Sequence, residues 1–318
     1  MRYALVTVTD ESFLVGTEVM LHSFLEHDPW FDGDFVVIHD GLADESRRRL
    51  EAVYPTTFLE VNGDLRDKVA DLYGAFPKLA GITARFHKLE LFRLRGYDRL
   101  VFLDSDLFCV GSIREIFERS EGFLCCPDSC FYRNALRDYI SYEQVLESFA
   151  RSYGEKLYDS FNSGVMSIGG EHLRDEVHRD LVAMIDRDTW RKIAVPRLAD
   201  QIILNYYFRG RQTLMSGKYN FVVFLEQLIK SKEGIRFFDA RVIHFAGKLK
   251  PWFVFDLAEL AEFAPGYVKY IDLWRDAYRS MLASRNGAGA EQAKIDQHLE
   301  WLKRFNQHEF KLAELGEP

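Results

Sequence analysis

In the stretch RLVFLDSDLFCV, residues 99–110, an apolar run of Leu100, Val101, Phe102 and Leu103 ends in Asp104 and Asp106, with Ser105 between them. Two carboxylates held one residue apart at the end of a buried strand repel each other and resist ionisation. A divalent cation that prefers oxygen ligands, Mg²⁺ or Mn²⁺, would relieve both problems. The alternative is a strand end whose acids are simply solvated. The triplet alone decides nothing, because the chain holds three Asp-x-Asp triplets and its aspartate content yields about two by chance. The setting separates them. Asp32 and Asp34 flank a glycine in ordinary turn chemistry. Asp186 and Asp188 fall in solvent where a helical pattern ends. Only Asp104 and Asp106 follow a run that reads as a strand buried on both faces.

A second group lies far along the chain, in VIHFAGKLKPW, residues 242–252. His244 closes a short strand-like run, and Gly247, Lys248 and Lys250 follow it. A lone histidine after a strand is most often structural or solvent-facing. A glycine, however, lets backbone approach a ligand closely, and lysines suit phosphate as point charges. Two carboxylates and an imidazole beside a basic glycine loop would make a metal–diphosphate site.

These groups meet only if the elements between them bring them together. Strand patterns over Tyr3–Thr9, Asp34–His39, Thr57–Val61 and Arg99–Leu103 alternate with helical patterns over Glu11–Glu26, 43–53 and 82–95. Such alternation predicts a mostly parallel sheet covered by helices, whose ligands bind beyond the carboxyl ends of the strands. Asp104 and Asp106 stand at such an end. A polar and aromatic segment over about 129–158 reads as a helical insertion, and SFNSGVMSIGG (160–170) as a strand. Residues 171–188 and 199–208 read as helices, with Tyr206 and Tyr207 in the core and Asp200 near a helix start, where it could serve as a cap. Trp252 reads as packing. The remainder, 256–318, is helical with a break at Asn286-Gly287-Ala288-Gly289. Its last helix, about 291–315, carries Ile295, Leu299, Leu302 and Phe305 on one face. That face could dock on the catalytic domain, form a dimer interface or touch a membrane surface; its mixed charges disfavour a strong anionic-lipid anchor.

Composition narrows the class. The 318 residues make one large domain or two small ones, and 47% hydrophobic residues are ample for a core. A net charge of −8 argues against a general nucleic-acid binder. No apolar run approaches 18 residues, and the first strand is too short for a signal peptide. Cys109, Cys125, Cys126 and Cys130 match no common zinc spacing and read as buried free thiols, which suits a reducing, cytoplasmic setting.

FLDSD, FNSGV, ADQIILN and HFAGKLKPW occur in that order and together resemble the family 8 glycosyltransferases, which include glycogenin and bacterial lipopolysaccharide galactosyl- and glucosyltransferases. The resemblance covers about residues 1–255, with VTVTDESF (6–13) and CCPD (125–128) falling in place. It implies a GT-A fold with a mixed, mostly parallel central sheet, a UDP-sugar donor, Mn²⁺ (or Mg²⁺) and transfer with retention of anomeric configuration. It further implies Asp104, Asp106 and His244 as metal ligands. Thr9, Asp10 and Phe13 would lie around uracil and ribose, with Ser105 among the nucleotide-binding residues. Lys88 would reach the nucleotide or its phosphates, with Arg85 one turn earlier as a competitor. Gly247 and Lys250 would hold the diphosphate, and Asp128, Asn162, Asp200 and Gln201 would surround the sugar. Asp200 and Gln201 are the candidates for the anomeric centre. Between Asp128 and Asn162 lie 33 residues where glycogenin has a short loop, which favours a glycan or lipid-linked acceptor over self-glucosylation. Two other classes stay open. A sugar nucleotidyltransferase also uses aspartate-bound Mg²⁺, although TVTDESF lacks the glycine-rich phosphate loop such enzymes carry. A non-catalytic UDP-sugar-binding protein would be expected to lack part of the metal triad.

Overall fold

A computed structural model of the chain describes residues 1–77, 83–134, 160–193, 199–253 and 256–286. Among the described residues the ten strands are β1 (Tyr3–Val8), β2 (Asp34–His39), β3 (Thr56–Glu60), β4 (Arg99–Leu103), β5 (Leu107–Cys109), β6 (Phe123–Pro127), β7 (Phe161–Gly169), β8 (Thr213–Leu214), β9 (Phe221–Val222) and β10 (Val242–His244). Seven of them form one sheet in the order β3-β2-β1-β4-β7-β6-β8, and the other three a small sheet in the order β5-β10-β9. The β1–β2, β1–β4 and β2–β3 pairs are parallel, whereas β7 runs antiparallel to both β4 and β6. The sheet is thus mixed and mostly parallel, as the strand–helix alternation requires.

The apolar run of β4 is explained by its place in the middle of this sheet. It pairs with β1 on one side and β7 on the other, and all five of its residues are buried. The chain then changes sheets within three residues. The Asp104 amide donates to the Gly164 carbonyl of β7 at 2.9 Å, and the Asp106 carbonyl accepts from the amide of Phe245, just past β10, at 3.0 Å. Leu107 pairs with His244 across β5 and β10. The two aspartates therefore sit on the seam between the sheets, one anchored to each.

The helix Leu14–His27 packs beneath the seam. A Cβ on Gly16 would overlap the Ser105 carbonyl oxygen and come within 2.6 Å of the Trp252 indole. Trp252 is fully buried, as expected of a packing residue, between the Phe13 and Trp274 rings. Trp274 stacks on Tyr278 in the helix Pro265–Asn286, so the C-terminal helices share one apolar core with Val15, Val19 and Ile243. The Arg285 guanidinium reaches the buried Glu18 carboxylate of the Leu14–His27 helix at 2.9 Å.

Several expectations need correction. Residues 83–93 wind as a 3₁₀ helix rather than an α-helix. Lys88 and Glu90 are buried there, Lys88 against Asp104 and Asp200 and Glu90 against His178, so tertiary partners bear on the winding. The helix read over 171–188 is a 3₁₀ turn at Gly170–His172 and a helix Asp175–Ala183; Asp186 then opens a separate helix, Arg187–Ile193. Its carboxylate accepts from the amides of Asp188 and Thr189, both at 2.9 Å, so it caps a helix start where a helix end was expected. Tyr206 is 46% exposed and not a core residue, because the buried face of its helix ends at Asn205. The four cysteines are free and buried. No described helix is long and apolar enough to cross a membrane. Of the inserted segment only the helix Ser129–Asn134 is described; the rest of it, and the final helix read over 291–315 with its docking, dimer or membrane face, lie outside the described residues.

Gly16→Ala tests the seam packing. In an ordinary helix interior this change gains about 1 kcal/mol. Here the methyl meets backbone and a packed indole, and overpacking costs about 1–3 kcal/mol. A net loss of stability in chemical denaturation is expected.

Candidate functional site

The metal-ligating candidates converge. One ligand atom each from Asp104, Asp106 and His244 lie within 4.8 Å of one another. Ligand atoms of one ion at bonds of about 2.1 Å stand no more than about 4.2 Å apart, so the three side chains would draw together to hold one. Two hard carboxylates and one imidazole suit Mn²⁺ or Mg²⁺.

Each carboxylate already has a lysine. Lys250 pairs with Asp106 and donates to the Phe245 carbonyl at 2.6 Å. Lys88 lies 3.0 Å from Asp104 and 3.1 Å from Asp200, and donates to the Ser163 hydroxyl at 3.1 Å and to the Ser163 carbonyl at 3.3 Å. The two aspartates end in different electrostatic states. Burial works to raise the Asp106 carboxyl, but Lys250 and then His244 outweigh it and hold it well below the usual carboxylate range. At Asp104 burial prevails, and its carboxyl is raised despite Lys88, with Asp106 adding repulsion. The Lys88 ammonium is disfavoured by burial, yet Asp104 and Asp200 raise its pKa above the ordinary value. Asp200 lies in the first turn of the helix Ala199–Tyr207, accepts from the Ser163 hydroxyl at 2.8 Å and pairs with Lys88.

A hydrogen-bonded chain runs from the imidazole to the sugar-side candidates. His244 Nδ1 meets Asn220 Oδ1 at 2.7 Å, and Asn220 Nδ2 donates to Asn162 Oδ1 at 2.8 Å. Asn162 Nδ2 donates to Gln201 Oε1 at 3.2 Å, and Gln201 Nε2 to Asp128 Oδ2 at 3.1 Å. The other Asp128 oxygen accepts from the Ser160 hydroxyl at 2.6 Å and the Phe131 amide at 2.9 Å. Burial raises the Asp128 carboxyl, against these donors.

The nucleotide-side candidates cluster around Ser105. Its hydroxyl donates to the Val8 carbonyl at 2.5 Å and accepts from Thr17 at 2.9 Å, and Thr17 also meets the Thr9 hydroxyl at 2.7 Å. Phe13 lies edge-on to Trp252, with the Lys250 ammonium 5.7 Å from its ring centre. One Asp10 oxygen is engaged locally, accepting from the Ser12 amide and hydroxyl and the Phe13 amide at 2.6–3.1 Å. Gly247 is exposed, has φ +98°, and has open space where a Cβ would stand. Arg85 is exposed, whereas Lys88 is buried.

Sequence reading missed Asn220, Ser163, Gly164 and Thr17. A Cβ on Gly164 would come within 2.6 Å of the His244 ring and 2.8 Å of Asn162 Oδ1, so the glycine of FNSG makes room for the imidazole. That motif held the signal for Ser163 and Gly164. Asn220 and Thr17 sit in stretches with no motif, and only proximity in space marks them.

Lys88→Met should cost about 3–5 kcal/mol in chemical denaturation, because it leaves two carboxylates on an uncompensated site. The double variant Lys88→Met/Asp200→Asn should lose less than the sum of the single variants. An additive result would remove the coupling described here.

Residues 4–255 match the model of glycosyl transferase family 8. The chain is 25% identical over 269 residues to glycosyltransferase GlyF of Streptococcus pneumoniae, covering 82% of this chain but only 60% of that protein. It is 26% identical over 258 residues to lipopolysaccharide 1,2-glucosyltransferase of Escherichia coli, covering 76% of this chain and 71% of that protein. Galactosyltransferase LgtC, solved with donor and acceptor sugar analogues, superimposes with a TM-score of 0.63 over 87% of this chain and 95% of its own, at 17% identity. The fold is therefore of the GT-A type, and the chain belongs to glycosyl transferase family 8.

Proposed function

We propose that this protein is a retaining hexosyltransferase that moves glucose or galactose from a UDP-sugar to a glycan or lipid-linked glycan, with Mn²⁺ or Mg²⁺ held by Asp104, Asp106 and His244. The observation that carries this reading is the convergence of those three side chains, from two separated stretches of chain, within 4.8 Å on the seam between two sheets. Charge counting supports it. Asp104, Asp106 and Asp200 face the lysines Lys88 and Lys250 and the His244 imidazole there, so acids outnumber lysines by one, which favours a bound cation.

A divalent ion bound there supplies positive charge to the diphosphate oxygens. The chain's own residues do the rest. Lys250, fixed by Asp106 and the Phe245 carbonyl, presents charge that needs no reorganisation as the departing UDP oxygen becomes negative. The left-handed turn at Gly247 leaves room for backbone to approach a phosphate. Thr9, Ser105 and Thr17 make a fixed hydroxyl cluster at the end of β1, beside Asp10 and Phe13, where a nucleoside would lie. Asp128, Asn162 and Gln201, oriented by one another, face the sugar. Gln201 Oε1 keeps a lone pair beyond the bond it accepts from Asn162, which suits it to a developing positive anomeric carbon; Asp200 orients Lys88 and Ser163 beside it. The relatives named for lipopolysaccharide glucosyl transfer and galactosyl transfer support a hexose donor and a glycan acceptor. Residues 1–255 would form the catalytic domain and 256–318 a helical extension. Four buried free thiols suit a cytoplasmic setting.

Release of UDP from UDP-glucose and UDP-galactose, with and without Mn²⁺, tests the reading. Metal-dependent release is expected, reduced about 100-fold or more in Asp106→Asn and His244→Ala. Pyrophosphate formed from UTP would indicate a nucleotidyltransferase instead, and binding without release a non-catalytic protein.

A further inference from the structure

Asn220 is buried, and its side-chain contacts run to His244 on one side and Asn162 on the other. The direction of the hydrogen-bond chain through it can be worked out from one fixed end. The Gly164 amide can only donate, and it meets Asn162 at 2.8 Å, so the atom it meets is the carbonyl oxygen. The Asn220 atom facing that oxygen must then be its NH₂. Its remaining oxygen faces His244 Nδ1, which must carry a hydrogen. Asn162 turns its NH₂ to Gln201 Oε1, and Gln201 turns its own to Asp128. No amide in the chain can flip without stranding a neighbour.

We propose that Asn220 is a positioning residue that couples the two halves of the site: it fixes the imidazole so that Nε2 faces the acidic pair, and it fixes Asn162, and through it Gln201, on the sugar side. The proposal rests on the metal reading above and goes beyond it by tying metal affinity to sugar placement through one side chain. A histidine that ligates a metal through one nitrogen is held by a partner on the other, and loss of that partner costs about 10–100-fold in metal affinity. An amide is suited to do both jobs, since its oxygen accepts from the imidazole while its NH₂ donates onward.

Two variants separate the two halves. Asn220→Asp keeps an acceptor for His244 Nδ1 but sets an oxygen against Asn162 Oδ1, whose lone pairs already serve the Gly164 amide. Asn220→Leu removes both contacts at similar volume. Mn²⁺ binding in the presence of UDP is read by the loss of the free-ion electron paramagnetic resonance signal, and kcat and KM for the UDP-sugar are measured alongside. Circular dichroism and melting confirm the fold of each variant. In Asn220→Leu the Mn²⁺ affinity should fall about 10–100-fold. In Asn220→Asp it should stay within a few-fold of the parent, while kcat falls about tenfold or more through misplaced sugar contacts. If folded Asn220→Leu binds Mn²⁺ as the parent does, or if Asn220→Asp transfers at the parental rate, the coupling role is wrong. If the parent itself binds no Mn²⁺ with UDP, the metal reading fails and this inference with it.

Discussion

The site depends on a change of sheet. The backbone leaves a central strand at Leu103 and joins a different sheet at Leu107, and the three residues between must satisfy two hydrogen-bonding frames. Asp104 takes its backbone bond from β7 of the large sheet, and Asp106 gives its carbonyl to the residue after β10 of the small one. The carboxylates are consequently close, anchored independently and unable to move apart. Their repulsion is a standing electrostatic cost that the surrounding structure must offset.

The offset comes from groups distant in sequence. Lys88 arrives on a 3₁₀ segment, and Lys250 and His244 arrive from either side of the Gly247 turn. Each is buried, and each is satisfied by protein partners as well as by the acids. Because the two lysines act on different aspartates, the pair is split into one firmly ionised carboxyl and one that ionises reluctantly. The pair presents a strongly anionic carboxylate beside a second one whose charge a bound cation would favour.

The same seam sets the packing below. Gly16 lets a helix approach the Ser105 carbonyl and the Trp252 ring, and the indole carries the contact on to Trp274 and Tyr278. The C-terminal helix Pro265–Asn286 is thereby part of the support beneath Ser105 and the hydroxyl cluster around it, reinforced by Arg285 on Glu18. Glu18 is fully buried, so that ion pair sits in a low-dielectric setting where geometry matters more than at the surface.

Much of this was legible in the sequence because it follows from local rules. A run apolar on both faces announces a central strand, and strand–helix alternation announces a parallel sheet with its site at the strand ends. The acids after β4 and the histidine after β10 could be singled out from type and position alone. Their meeting could not, because local pattern carries no information about which strand ends are neighbours; the pairing of Leu107 with His244 decides it. Nor could the sequence show that Lys88 would be buried among acids, that residues 83–93 would wind as 3₁₀, or that Asn220 would stand between imidazole and amide. Those outcomes depend on partners brought together from stretches 16 or more residues apart, and burial then makes each unpaired donor, acceptor or charge costly enough to fix where every side chain points.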